Sequence, residues 1–233
     1  MKKKIYFFNP YPGIGGADTL IHRFINSISL KKYDVEYLTL KKKNVFFSNK
    51  IKCTQINSKS TLLSFFKILK IIKNDKNKNK IFFSMQYFCN VWSIIFIKLF
   101  CNIKTFTYEI NHLNELKNYQ NIVEKFKKNV ILFLVKRLYK YSDIVATNSV
   151  ECSKDLSSFI NRKVRTIYNP CFEKLNLKKN KYKKETKIRI LNIARLSYQK
   201  DQLTILKAIN SSKIKNYIKL TLVGFGPLKK KLS

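Results

Sequence analysis

Residues 188–209, IRILNIARLSYQKDQLTILKAI, and residues 220–233, LTLVGFGPLKKKLS, decide how this chain is read. The first stretch is an apolar, β-branched run, then a polar loop, then apolar positions at helical spacing. The second is another strand-like run, closed by Gly224-Phe-Gly226-Pro227 before a basic helix start. Strand, loop, helix, strand and glycine turn in succession is the pattern of a parallel α/β nucleotide-binding domain. Arg195 and Lys200 stand in the first loop, where two fixed cations can grip a diphosphate. The chain stops at Ser233 after two such strands, so the expectation is a C-terminal domain too small to enclose a core or complete a cleft.

Upstream, the stretch at about 172–187 is lysine-rich and lacks apolar periodicity. It reads as a linker between a first domain over 1–175 and a partial second domain over 186–233. The first domain opens on the apolar run Lys4–Asn9, which enters the Pro- and Gly-dense loop NPYPGIGGAD. Helical spacing follows through Leu20, Ile21, Phe24, Ile25 and Ile28, and Asp34–Leu40 alternates as a strand. A strand, glycine loop, helix and strand in this order form the first unit of a doubly wound sheet. Beyond it the periodicity predicts a helix over Thr61–Ile72 and a solvated turn over Lys73–Lys80, KNDKNKNK. Strands are expected at Ile81–Ser84, Lys104–Tyr108, Asp143–Thr147 and Val164–Tyr168, with helices at Glu124–Tyr141 and Glu151–Ile160.

Composition narrows the partners. The 233 residues carry 48 Lys and Arg against 13 Asp and Glu, a net charge of +35. At 45% hydrophobic and 14% aromatic the chain is no disordered polyelectrolyte. Abundant Lys, Asn, Ile and Phe point to an AT-rich coding sequence, which by itself fills solvated faces with lysine. The remaining field favours anionic membrane surfaces, polyanions and phosphorylated substrates. Zinc-finger spacing, a basic zipper and an aromatic RNA-binding signature are all missing, so no specific nucleic-acid partner is expected. The five cysteines include no CxxC pair and suit a reducing cytosol. Met1-Lys-Lys-Lys is followed only by Ile5–Phe8 before Asn9-Pro10, too short for a signal sequence, and a cytoplasmic protein is expected. Gln86, Asn90 and Lys98 interrupt the apolar stretch Ile81–Cys101, which reads as a buried strand and core helix rather than a membrane span.

Five pieces in order carry a resemblance: the Gly15-Gly16 loop, DIVATNS at 143–149, IYNP at 167–170, ARLSYQK at 194–200 with Asp201, and VGFGPL at 223–228. Together they resemble the retaining glycosyltransferases of the GT-B fold, family 4 type, also called glycosyl transferases group 1. The resemblance implies an α/β fold with a Rossmann-like N-terminal domain on a parallel sheet and an incomplete second Rossmann-like domain. It implies a glycosyl transferase that moves a sugar from a nucleotide-sugar donor to a glycan or lipid-linked acceptor in cell-surface polysaccharide synthesis. That places the protein at the inner face of the cell membrane, peripherally. In the family the residues matching Arg195 and Lys200 bind the donor diphosphate in place of a divalent metal. Neither cofactor nor metal is therefore expected, the nucleotide-sugar being substrate.

The same resemblance sets Gly15 and Gly16 beside the donor phosphates and Gly224 and Gly226 beside the nucleotide. Glu109 becomes a donor-binding candidate and His112 a catalytic one. His112 comes later than the family pattern, and Ile110 stands at the expected place. Other readings stand beside these: the glycines as the glycines of tight turns, His112 as a satisfied loop histidine, and Arg195 and Lys200 as two more loop charges, though an arginine after an apolar strand in a lysine-dominated chain favours the functional reading. The pattern at Gly13-Ile-Gly15-Gly16-Ala-Asp18 departs from the dinucleotide fingerprint, so NAD is not inferred. The basic, apolar-striped helix 124–141 serves core packing, an anionic bilayer, or both on opposite faces. Family members carry two glutamates in a glycine-rich motif further downstream. Without that motif the chain is expected to be inactive alone, and the alternative is a non-catalytic basic module that binds membrane surfaces or polyanions.

Overall fold

In the computed structural model, which describes residues 2–12, 16–40, 51–119, 121–170 and 187–232, the first apolar run is strand β1 (Lys3–Phe8). It lies inside a seven-stranded sheet with β2 (Tyr33–Thr39), β3 (Lys52–Gln55), β4 (Lys80–Met85), β5 (Lys104–Glu109), β6 (Ile144–Thr147) and β7 (Arg165–Thr166). The order is β3-β2-β1-β4-β5-β6-β7 and every pairing is parallel. This is the doubly wound 3-2-1-4-5-6 order with one short strand added, and the winding reverses between β1 and β4. In register, Lys4 lies opposite both Asp34 and Lys80, and Ile81 opposite Lys104. All strand C-termini therefore share one edge and all N-termini the other.

Alternation along the strands sorts the core into two faces. Phe7, Val35, Tyr37, Phe83 and Ala146 pack with Leu20, Ile21 and Ile25 of α1 (Gly16–Ser27). Tyr6, Phe8, Leu38, Phe82 and Val145 point the other way, into a layer of helices. That layer comprises α2 (Thr61–Asn74), α3 (Tyr87–Ser93) with its π-helical continuation Ile94–Leu99, α4 (Ile122–Leu138) and α5 (Val150–Ile160). Side-chain caps fix three starts: Ser60 for α2, Asn121 for α4 and Ser149 for α5 each accept an orphan amide three residues on. The stretch 81–101 is a buried strand followed by a helix, as the interrupted apolar run suggests. Among the described residues no helix is long and apolar enough to cross a membrane.

Local differences from the sequence reading have physical causes. The Asn121 cap starts α4 at Ile122, ahead of the expected Glu124, and the last turn tightens into a 3-10 helix at Tyr139–Tyr141. The expected strand at 164–168 shrinks to Arg165–Thr166, because beyond it the chain turns its carbonyls to side chains of β5 and α1. β3 was not expected; its four residues are mostly polar and pair only with β2.

Contacts divide the chain into two units, Met1–Lys174 and Leu175–Ser233. In the second, β8 (Ile188–Ile193) and β9 (Ile218–Val223) pair in parallel from Ile188 opposite Ile218 to Ile193 opposite Val223. The crossover is α6 (Gln202–Ser211), and α7 (Lys229–Leu232) follows the glycine turn.

Candidate functional site

In an open parallel sheet, ligands bind beyond the strand C-termini at the point where the winding reverses. Here that is the gap between the ends of β1 and β4. After β1, the Asn9 side chain donates to Asp18 Oδ1 in the first turn of α1 at 2.7 Å, and Leu40 N–H donates to the Pro10 carbonyl at 3.1 Å. Gly16 begins α1, and a Cβ built on it meets nothing within 4 Å among the described residues. Asp18 sets a carboxylate in that first turn and offsets part of the helix's attraction for an anion. Gly15 lies outside the described residues.

After β4 the chain makes an abrupt turn at Gln86, whose φ of 73° and ψ of 142° suit glycine and strain any other residue. Its N–H donates to the Tyr108 carbonyl at 3.2 Å, and its side chain is exposed at the reversal point. Sequence reasoning registered Gln86 only as a break in an apolar run; that break was the available signal.

Glu109 is the last residue of β5. It is fully buried, and Oε1 accepts from the Tyr139 hydroxyl and from Asn90 Nδ2 at 2.7 Å. Asn90 also accepts from Ser84 Oγ at 2.6 Å, and Ser84 and Ser93 hydroxyls meet at 2.8 Å. Burial, the largest influence, pushes the Glu109 carboxyl up to about 8; the Tyr139 and Asn90 hydrogen bonds pull it back in part. This polar knot under the end of β5 holds the loop that follows.

His112 in that loop is occupied on both ring nitrogens. Nδ1 accepts from Asn114 N–H at 3.1 Å, capping the 3-10 turn Leu113–Lys117, and Nε2 meets Asp155 Oδ2 on α5 at 2.7 Å. Asn148 of the DIVATNS stretch donates to the Ile110 carbonyl at 2.9 Å, so that stretch fixes the same loop. The IYNP stretch is fixed likewise: the Tyr108 hydroxyl reaches the Ile167 carbonyl at 2.6 Å and Asn169 Oδ1 at 2.9 Å.

In the second unit the two glycines and the Arg195 loop form one construction. Ala194 N–H donates to the Val223 carbonyl at 3.0 Å and Leu196 N–H to the Phe225 carbonyl at 2.9 Å, extending the β8–β9 ladder past the strand ends. A Cβ on Gly224 would lie 1.9 Å from the Ala194 carbonyl oxygen, and one on Gly226 would lie 2.1 Å from that of Leu196. Only glycine lets these backbones meet. Leu196 is buried, so the intervening Arg195 is turned outward and exposed. The Arg195 carbonyl accepts from the buried Gln202 at 3.1 Å, tying the loop to the start of α6. Lys200 ends a 3-10 turn, Tyr198–Lys200, and is also exposed. Neither cation forms an ion pair among the described residues. Nor, among them, do three or more His, Cys, Asp or Glu gather as a metal site would require.

No family model and no curated protein matches the sequence. Solved structures do match. The catalytic domain of starch synthase IV from Arabidopsis thaliana, bound to ADP and acarbose, superposes with a TM-score of 0.60 at 11% identity, over 99% of this chain and 70% of its own. HepE from Anabaena, in complex with UDP, gives 0.61 at 12%, over 98% of this chain and 62% of its own. The trehalose 6-phosphate synthase of Burkholderia multivorans gives 0.60 at 8%, over 100% and 65%. The fold is that of the GT-B glycosyltransferases. This chain spans between 62% and 70% of the length of these three GT-B proteins. At such identities the shared property is the Rossmann-like GT-B architecture.

Proposed function

We propose that this chain serves a retaining glycosyltransferase of the family 4 type, which moves a sugar from a nucleotide-sugar to a glycan or lipid-linked acceptor in cell-surface polysaccharide synthesis. The observation that carries the reading is the backbone pairing of the 194–196 loop with the Gly224–Gly226 turn, which leaves Arg195 outward at the end of β8. As the bond from the sugar to the β-phosphate oxygen breaks, negative charge gathers on that oxygen. Arg195 offers a planar pair of donors to it and Lys200 a compact point charge, together replacing a metal ion. Backbone contacts hold the loop that carries both.

In this reading the ends of β1 and β4, with Gly16 and Gln86, serve the acceptor in the first unit, while Glu109 and His112 position the loop after β5. The outer face of α4 supports a membrane-borne acceptor: Ile122, Phe126, Val130 and Phe133 are exposed at helical spacing, with Lys125, Lys127, Lys136 and Arg137 around them.

The test is release of nucleoside diphosphate from nucleotide-sugars, with membrane acceptor lipids, by an enzyme that joins this chain to a complete nucleotide-binding domain, and by its Arg195→Ala and Lys200→Ala variants. Each substitution is expected to slow turnover about a hundredfold, the effect of losing one charge-stabilising contact. Equal turnover in all three proteins removes the site assignment.

A further inference from the structure

All strands of the first unit begin at the edge opposite the candidate donor loops, and a cavity of about 670 Å³ opens there. The starts of β1 and β5 bring Lys3 and Lys104 to it, the last turn of α2 brings Lys73, and the turn that follows brings Lys76 and Lys78. The sequence reads that turn as solvated; the structure makes it a fixed wall. Asp75, the carboxylate of the lining, accepts from the Tyr6 hydroxyl and from Asn77 N–H at 2.7 Å. Lys80 Nζ donates to the Ile72 and Asp75 carbonyls, each at 2.6 Å. Asn77 Nδ2 donates to the Lys2 carbonyl at 2.8 Å, and Lys4 N–H to the Asn79 carbonyl at 2.9 Å, lashing the turn to β1. Lys3, Lys73, Lys76, Lys78 and Lys104 are left exposed, and none forms an ion pair among the described residues.

An apolar ridge runs into the same cavity. Phe100 lines its mouth and is 72% exposed. Its ring lies 6.1 Å from Phe96, which lies 5.1 Å from the exposed Phe66 of α2. Outward positions on α2 continue the change of character: Leu63 and Phe66, then Lys70 and Lys73, stand at helical spacing, apolar far from the cavity and cationic beside it. In water the ridge leaves aromatic surface wet, and five exposed lysines share one lining carboxylate, Asp75. An amphiphile with an anionic head relieves both at once, its phosphate among the lysines and its apolar part along the rings.

We propose that this cavity and ridge form a binding site for the phosphate head group of an anionic phospholipid in a bilayer surface. The site is separate from the sugar-transfer reading, since no step of transfer uses these residues. A nucleic-acid strand fits less well, because it needs a basic track that continues, and here the cations converge on one cavity.

The test is co-sedimentation of the full chain with vesicles of phosphatidylcholine, alone or with about one third phosphatidylglycerol, the latter fraction chosen to give a moderate surface potential. Three proteins are compared with the wild type: Lys76→Glu/Lys78→Glu/Lys104→Glu, a control Lys31→Glu/Lys32→Glu/Lys207→Glu with the same net charge, and Phe100→Ser. Binding to the anionic vesicles is expected to fall about a hundredfold in the cavity triple and less than about threefold in the control. Phe100→Ser is expected to weaken vesicle binding while leaving inorganic pyrophosphate binding, read by calorimetry, unchanged. Equal losses in the two triples assign binding to the overall charge and overturn the site. Pyrophosphate binding that needs the three lysines, with vesicle binding indifferent to Phe100→Ser, assigns a soluble phosphate and overturns the lipid. RNA binding abolished in the cavity triple, with vesicle binding intact, overturns it as well. Melting curves verify each fold, and the single Lys78→Gln and Lys104→Gln variants carry the same comparison if the triple does not fold.

Discussion

Glu109 illustrates what a single residue contributes. Its carboxyl is held at about 8 in the fold, against an ordinary 4.5 in an unfolded chain. Between those values the folded state keeps a proton that the unfolded state releases, so this group makes stability fall as pH rises from about 4.5 and level off above about 8. Glu109→Gln mimics the protonated form and removes that slope, which is at most about 1.4 kcal/mol per pH unit. Melting temperatures of the two proteins, compared at mildly acid and mildly alkaline pH, should diverge in favour of the variant as pH rises. Parallel profiles would show that the carboxyl is not buried uncompensated. The position of Glu109 after a strand was legible in the sequence. Its burial was not, because the walls come from Asn90 and from Tyr139, thirty residues further on, and no local pattern encodes their convergence.

At the scale of elements, the glycine turn after β9 and the outer face of α4 make separate demands. Gly226→Ala drives a Cβ into the Leu196 carbonyl at 2.1 Å, and the contact is backbone on backbone, so neither side yields cheaply. A loss of about 3 kcal/mol is expected, the upper end for overpacking, with faster hydrogen exchange at β8 and β9. Unaltered exchange there would mean that the turn and the Arg195 loop do not support one another. On α4, Phe126 is 71% exposed, so Phe126→Ser should leave the melting temperature nearly unchanged. Binding to anionic vesicles should weaken about tenfold, in keeping with the loss of a partly inserted aromatic ring. Unchanged vesicle binding would return the stripe to an exposed surface without a partner. Elements with long periodicity, such as α2, α4 and β4, were legible because their apolar faces repeat. β3 was not, because a short edge strand with a polar sequence leaves no such repeat, and only pairing with β2 defines it.

At the scale of the whole molecule, α1, α2, α3 with its π-helical continuation, α4 and α5 are crossovers of the kind parallel pairing requires. The GT-B resemblance rested on five short stretches, and the structure gives several of them mechanical work: Asn148 and Ser149 fix a loop and a helix start, Tyr108 anchors the IYNP stretch, and Gly224 and Gly226 let the Arg195 loop close on β9. The net charge of +35 had two readings in the sequence, solvated faces and an anion-seeking surface. In the second unit Arg195 and Lys200 stand in the loop after β8, and in the first unit the cavity lysines gather where the strands begin. The central claim is that Arg195 and Lys200 form a metal-independent site for a nucleoside diphosphate. Calorimetric titration of the protein with UDP, GDP and ADP in the presence of EDTA tests it most directly. Saturable binding of at least one of the three, weakened about tenfold or more in Arg195→Ala as a charge-assisted bidentate contact requires, is the expected result. Absence of binding to all three, or binding that Arg195→Ala leaves unchanged, would contradict it.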